Sequence, residues 1–140
     1  MAYGPHGGFS SVEFWPVSNT GTIAEGDMVH WDEAGQYITT CEAGDTPCGV
    51  ALDNSNQPTS DAGNKILVET STMALFEYPA DTGTITAALI GKTMDVGGAQ
   101  SINIDTSAQD CIYVTNVRLT ESTKTVICRI KFDDSFTGIA

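Results

Sequence analysis

Hydrophobic and polar residues alternate in short runs along most of the chain, which is the pattern of half-buried β-strands. Thr, Val, Ile and aromatic residues dominate these runs, and Gly, Pro, Asn and Asp interrupt them at the spacing, roughly every eight to twelve residues, of a β-sandwich or barrel. The predicted strands lie at residues 22–23, 28–31, 37–40, 49–52, 66–70, 73–77, 101–104, 112–119 and 124–132. We therefore expect an all-β domain, a small antiparallel β-barrel.

One stretch, "TITAALIGKTMD" at residues 84–95, has some helical character. Its apolar cluster, residues 87–90, is too short for more than a turn or two, because short isolated helices are marginal in water. The pattern predicts at most one short helix.

The clearest element is the hairpin "CIYVTNVRLTESTKTVICRIKF" at residues 111–132. With its turn centred on residues 121–122, the pairs would be Val117 with Val126, Thr115 with Cys128, and Tyr113 with Ile130. Alternation then places Val126, Cys128, Ile130 and Phe132 in the core, and Thr125, Arg129 and Lys131 in water.

The first 21 residues, "MAYGPHGGFSSVEFWPVSNTG", are rich in glycine and show strand alternation only at 12–15. This predicts an extended N-terminal arm over residues 1–21 ahead of a β-barrel domain over 22–140. The arm carries four aromatic residues that are candidates for an interface: Tyr3, Phe9, Phe14 and Trp15. An arm that exposes aromatics usually docks, either on its own domain or on a neighbouring subunit, and both alternatives stay open.

Charge narrows the choice of partners. Eighteen acidic and six basic residues give a net charge of −12, and residues 1–64 carry nine acids with no Lys or Arg. Such a surface repels nucleic-acid phosphates and anionic membranes, and it suits a basic patch on a partner protein. With no apolar run near the ~20 residues of a membrane span and no signal peptide, we expect a protein that folds in a cytoplasm.

A metal site is the first chemical possibility, because "HWDEAGQYITTCEAGDTPCGVAL" at residues 30–52 holds a histidine, several acids and two cysteines. Cys41 and Cys48 are too far apart for a zinc ligand pair, and Cys111 and Cys128 supply no second pair. Three short strands joined by glycine turns account for the stretch better. We expect no metal or other cofactor. The thiols should be mostly reduced, and a local disulfide between Cys41 and Cys48 is left open.

Other chemistry fits no better. "ALIGKT" fails as a phosphate-binding loop because Thr86 stands where the first glycine is needed. The loop at 53–64 has Pro58 and Asn64 where a calcium loop needs Gly and Glu, although Asp105 and Asp110 could share a hard cation with a neighbour. There is no nucleophile elbow and no Cys/His setting, so the chain is not expected to be an enzyme.

The order of the short motifs resembles that of tailed-bacteriophage capsid decoration proteins, also called cement or head-stabilising proteins. The resemblance covers residues 22–132 and is carried by "IAEGDMV" (23–29), "GQY" (35–37), "GVAL" (49–52), "ALIGKTMDV" (88–96) and "INIDTSAQDCIYVTNV" (102–117). The aromatic N-terminal segment is not part of the shared pattern, so whether it grips the capsid or a sibling subunit is left open.

The resemblance implies a β-barrel or β-tulip domain that binds the outer capsid surface of the virion as a homotrimer and bridges major capsid protein subunits, with assembly in the host cytoplasm. Aromatic residues dominate binding hot spots, which makes the four N-terminal aromatics the candidate interface. The alternative is another virion β-module, such as a tail, fibre or glycan-binding domain, and a small hydrolase or metalloenzyme is the third reading.

Overall fold

The computed structural model describes residues 4–18, 21–32, 35–55 and 65–133, with the backbone alone for residues 4–8. These ranges contain strands and a single 3₁₀ turn, Ala87–Leu89. The strands are β1 (Gly4–Gly8), β2 (Val12–Pro16), β3 (Met28–Trp31), β4 (Ile38–Thr40), β5 (Gly49–Ala51), β6 (Lys65–Glu69), β7 (Ala74–Tyr78), β8 (Thr93–Gly98), β9 (Ser101–Asn103), β10 (Ile112–Arg118) and β11 (Thr125–Ile130). Within the described ranges no helix has the length and apolarity to span a membrane.

The strands form two antiparallel sheets. One has the order β1-β7-β11-β10-β8-β9 and the other β2-β6-β5-β3-β4. The predicted all-β antiparallel class is confirmed, and so is the limit of one short helix.

Each sheet curls, so that strands at or near its two edges are joined by a single β-bridge. A parallel bridge joins Val17, just after β2, to Ile38 in β4, and these two strands are the edges of the five-stranded sheet. A second parallel bridge joins Ala80, just after β7, to Ile102 in β9. Closing a barrel requires a ladder between the first and last strands, and a single bridge is not a ladder. Among the described residues the sheets are therefore curled but open, and the closed barrel is not found.

Two apolar cores result. The first lies inside the six-stranded sheet and includes Phe76, Tyr78, Ile112 and Ile130; the second lies inside the five-stranded sheet around Trp15. Successive residues of β3 and β5 face opposite ways, so Met28 and Val50 join the first core while their neighbours Val29 and Ala51 join the second. The five-stranded sheet is thus covered on both faces in this part, which holds the cores together. The buried hydroxyl of Tyr78 adds a 2.6 Å hydrogen bond to the carbonyl of Gly26 across the junction.

The N-terminal segment is extended, as predicted, but it belongs to the two sheets. Strand β1 pairs with β7, with Gly4 opposite Glu77, and β2 pairs with β6, with Trp15 opposite Ile66. Of the two alternatives left open above, the backbone of residues 4–8 and 12–16 docks on its own domain. The segment crosses from one sheet to the other through the three residues between β1 and β2, residues 9–11.

The C-terminal hairpin has a β-bulge that the sequence did not reveal. Val117 pairs with Val126 as predicted, but the register shifts by one residue between Val114 and Asn116. Cys128 therefore lies opposite Val114, not Thr115, and Ile130 lies opposite Ile112, not Tyr113. The predicted inward set is confirmed, because all four residues from Val126 to Phe132 that alternation places inward are buried. The extra residue in β10 shifts the pairing without turning β11 over.

Thr125 lies on the outward face but not in water, so that part of the prediction is wrong. Its side chain is fully buried, and its hydroxyl donates a 2.6 Å hydrogen bond to Oε2 of Glu77. Arg118 Nε lies 3.6 Å from the same carboxylate oxygen. A buried acid thus needs the threonine as a donor, which explains a polar residue at a covered position.

Candidate interaction surface

The predicted interface residues separate into two groups. Phe9 and Phe14 are exposed, at 76% and 53% of their surface, whereas Trp15 is 7% exposed. The ring of Trp15 packs in the second core with its centroid 5.0 Å from that of Trp31. Tyr3 lies outside the described residues. Phe9 and Phe14 remain available to a partner, and Trp15 serves the core.

Strand β2 explains this separation. Alternation points Val12 and Phe14 to one face and Trp15 to the other. Val12 is 49% exposed, and Phe14 pairs directly with the half-buried Leu67 of β6. Among the strands that the structure describes, β2 lies at the edge of its sheet, so its exposed apolar side chains lie beside a strand edge. Soluble proteins usually protect such edges with charge or cover them, so this one is a candidate contact.

A groove lies on the outward side of the C-terminal hairpin. Its open volume is about 510 Å³, and its lining residues are Thr72, Met73, Tyr113, Arg129, Ile130, Lys131 and Phe132. Tyr113 and Arg129 are directly opposed in the β10–β11 ladder, and Met73 comes from the turn between β6 and β7. We call this feature the Arg129 groove. The sequence pattern places Arg129 and Lys131 outward but does not show that residues 72–73 complete a concave wall.

Arg129 has an unusual hydrogen-bond state. Its Nε is buried and has no hydrogen-bond partner among the residues that the structure describes. A buried donor without an acceptor is costly, and most such groups in folded proteins are satisfied. Arg129 as a whole is half-buried and lines the groove, so its positive charge is available to an acceptor from outside the chain.

The buried acids, by contrast, are occupied by internal donors. Asp95 accepts hydrogen bonds from the backbone N–H groups of Ala108, Gln109 and Asp110 and from the hydroxyl of Thr106, at 2.7 to 3.1 Å. Desolvation raises the pKa of Asp95, but these four bonds outweigh it and the pKa is lowered. Asp95 is a structural anchor for the loop before β10.

The candidate cation ligands are not gathered. The part of the chain that the structure describes holds no group of three His, Cys, Asp or Glu side chains arranged for a metal. His30 Nε2 lies 3.3 Å from Asp45 Oδ2, and Asp110 Oδ1 accepts a hydrogen bond from the Thr93 hydroxyl at 2.9 Å. These contacts tie strands to loops.

All four cysteines are free, buried thiols, with no bridge between Cys41 and Cys48. Burial raises the pKa of Cys41, Cys48 and Cys128, and it raises that of Cys111 to about 11. At neutral pH these groups are protonated and are poor nucleophiles or metal ligands.

Two of the motifs that carry the family resemblance, those at 23–29 and 49–52, have structural roles. In "IAEGDMV", Ile23 is buried, Gly26 adopts φ 94°, and the carboxylate of Asp27 accepts the N–H of Ala24 at 2.8 Å to close the turn. A Cβ built on Gly49 would clash with Val68 Cγ1 and would lie 2.9 Å from the carbonyl oxygen of Glu69. Only glycine lets β5 lie this close to β6. These residues build the turn and strand spacing of the second core.

No protein-family model, no curated protein and no solved structure matches the chain. A function is therefore inferred from the order of the motifs and from two surfaces, the β2 edge and the Arg129 groove.

Proposed function

We propose that this protein is a capsid decoration protein of a tailed bacteriophage, a structural protein without catalytic activity. It binds the outer surface of the capsid as a homotrimer and stabilises the shell by bridging major capsid protein subunits, after assembly in the host cytoplasm. The observation that carries the proposal is the ordered set of motifs at 23–29, 35–37 and 49–52, followed by 88–96 and 102–117.

Three features of the described residues support a role in adhesion. Phe9, Val12 and Phe14 are exposed on or beside an edge strand. The buried acids and thiols are engaged in or shielded by the fold. The net charge of −12 would attract a basic surface on the capsid.

The proposal includes a small-barrel body. The bridges from Val17 to Ile38 and from Ala80 to Ile102 support it, because each brings a sheet together across its open side. We interpret each curled sheet as an incomplete barrel around one of the two cores.

The direct test mixes the purified protein with capsids that lack it. We expect saturable binding, a trimer mass in solution, and capsids that resist higher temperatures once decorated. Raised salt should slow association more than it speeds release, because a charged surface mainly steers encounter. A monomer that leaves capsids bare would reject the proposal, and binding to a glycan array would favour a glycan-binding virion module.

The aromatic contribution is best tested with point substitutions. Removing residues 1–15 would delete most of β2 and take Trp15 from the second core, so lost binding could reflect lost folding. Phe9→Ser and Phe14→Ser keep the core intact and should weaken capsid binding or trimer formation. Tyr37→Ser, which alters an aromatic residue 40% exposed in the β3–β4 connection, is the matched control. Equal behaviour of all three variants would exclude Phe9 and Phe14 as contacts.

A further inference from the structure

The Arg129 groove and the β2 edge have opposite character. Arg129 and Lys131, two of the six bases in a chain with eighteen acids, meet in the groove beside apolar surface from Met73, Tyr113 and Phe132. The β2 edge carries exposed Val12, Glu13 and Phe14, and no base lies anywhere in residues 1–64. The chain thus carries two complementary surfaces. Both are partly apolar, but the Arg129 groove is basic and the β2 edge is acidic.

The two surfaces also belong to different sheets. The β2 edge bounds the five-stranded sheet, while Tyr113 and Arg129 lie on the six-stranded sheet. A cyclic trimer needs two different contact patches on each copy, because its repeated contact joins one patch to the other. A twofold dimer, by contrast, joins a patch to itself. The groove volume of about 510 Å³ is within the ~300–1,000 Å³ usual for binding pockets and admits several side chains.

We propose that the Arg129 groove of one copy receives the Val12-Glu13-Phe14 edge of a second copy. A strand edge offers alternate side chains to the two sides of a groove. Phe14 and Val12 then bury against the apolar lining, while the Glu13 carboxylate accepts hydrogen bonds from the guanidinium of Arg129, which lines the groove. Repeated around a threefold axis, this contact closes the ring.

The inference takes the number of copies from the proposed function, but its test needs no capsid. The oligomer mass is measured by sedimentation over a range of concentrations for Glu13→Lys, Arg129→Glu and the double variant. Each single variant places like charges together and should raise the concentration for half-dissociation at least about tenfold, which corresponds to roughly 1.4 kcal/mol. The double variant reverses the pair and should recover most of the association.

Matched controls change charge elsewhere. Glu121→Lys alters an exposed acid in the hairpin turn, and Lys124→Glu alters an exposed base next to it, outside the groove. Both should leave association within about twofold of the starting protein, because rim or distant charges contribute little. Urea unfolding of every variant verifies that a lost oligomer does not reflect a lost fold.

The outcomes are distinguishable. Single variants that keep the original association, or a double variant that folds but fails to recover it, would overturn this contact. A protein that binds capsids as a trimer while these variants stay trimeric refutes the contact alone and leaves the proposed function standing. A trimer that responds to the charge reversal as expected but ignores capsids supports the contact and refutes the proposed function.

Discussion

The two cores are built by the same alternation but end in different outer surfaces. Outside the first core, β7, β10 and β11 carry an internal polar cluster of Glu77, Thr125 and Arg118 and then the Arg129 groove. Outside the second core, β2 presents apolar Val12 and Phe14 to solvent. The difference shows that the inward-facing residues of the strands specify the fold, while the outward-facing residues determine which contacts the molecule can make.

The sharpest test compares adjacent residues of β2. Trp15→Ala should destabilise the protein by about 3–5 kcal/mol, because it empties a large volume in the second core. Phe14→Ala should change stability by no more than about 0.5 kcal/mol, since its ring is half exposed. Urea unfolding of both variants measures the two values. Similar losses would show that β2 is not oriented as described.

The second test concerns the outer face of the first core. Thr125→Val removes the donor to Glu77 and leaves a buried carboxylate short of one partner, which should cost about 1–3 kcal/mol. Thr123→Val, at an exposed position in the hairpin turn, is the control and should be nearly neutral. If both variants unfold at the same urea concentration, Thr125 is not a required donor.

Alkaline pH should act mainly on the first core, which holds three of the four thiols: Cys41, Cys111 and Cys128. Burial raises the pKa of Cys111 from 9.0 to about 11, so the thiol loses its proton in the unfolded chain first. Its contribution to stability is complete below pH 9 and is lost as pH rises through about 11.

The check is the unfolding free energy of the starting protein and of Cys111→Ala between pH 8 and about pH 11. The variant should lose less stability over this interval, although it starts lower because a small cavity forms. Parallel curves for the two proteins would contradict a buried, protonated Cys111.

The smallest expected effect on folding is that of Arg129→Met. The substitution keeps an unbranched apolar stem in the groove and removes a buried donor that has no acceptor among the described residues, so stability should be unchanged or rise by up to about 1 kcal/mol. Thermal unfolding of the dissociated protein measures it. A large loss would mean that Arg129 stabilises its own domain.

Much of the fold could be read from alternation alone, because a buried face forces a period of two. The inward residues of β11 and the strands β3, β5, β6 and β7 were predicted close to their observed bounds. Strand β1 was missed since its sequence, "GPHGG", lacks side chains that show a face. Strand β8 was missed because its apolar residues adjoin those of the 3₁₀ turn, and short apolar runs do not distinguish helix from strand.

The candidate surfaces were only partly predictable. The exposed residues Phe9 and Phe14 were identified from composition. Trp15 was grouped with them because the side of β2 that a residue faces depends on the pairing of β2 with β6, which the sequence does not show. The Arg129 groove combines residues 72–73 with residues 113 and 129–132, so no local pattern reveals it. The bulge near Thr115 was also not predicted, because one additional residue gives no recognisable pattern in a strand of mixed polar and apolar residues.

The crossing of the N-terminal segment between the sheets has a consequence during synthesis. Residues 4–16 leave the ribosome well before their strand partners, which lie at 65–69 and 74–78. Until about fifty further residues have emerged, Trp15 has no β6 to cover it, and closing so long a loop is slow. A nascent chain stalled before residue 65 would present a bare tryptophan and an unpaired edge, and it should be the aggregating species when translation is interrupted.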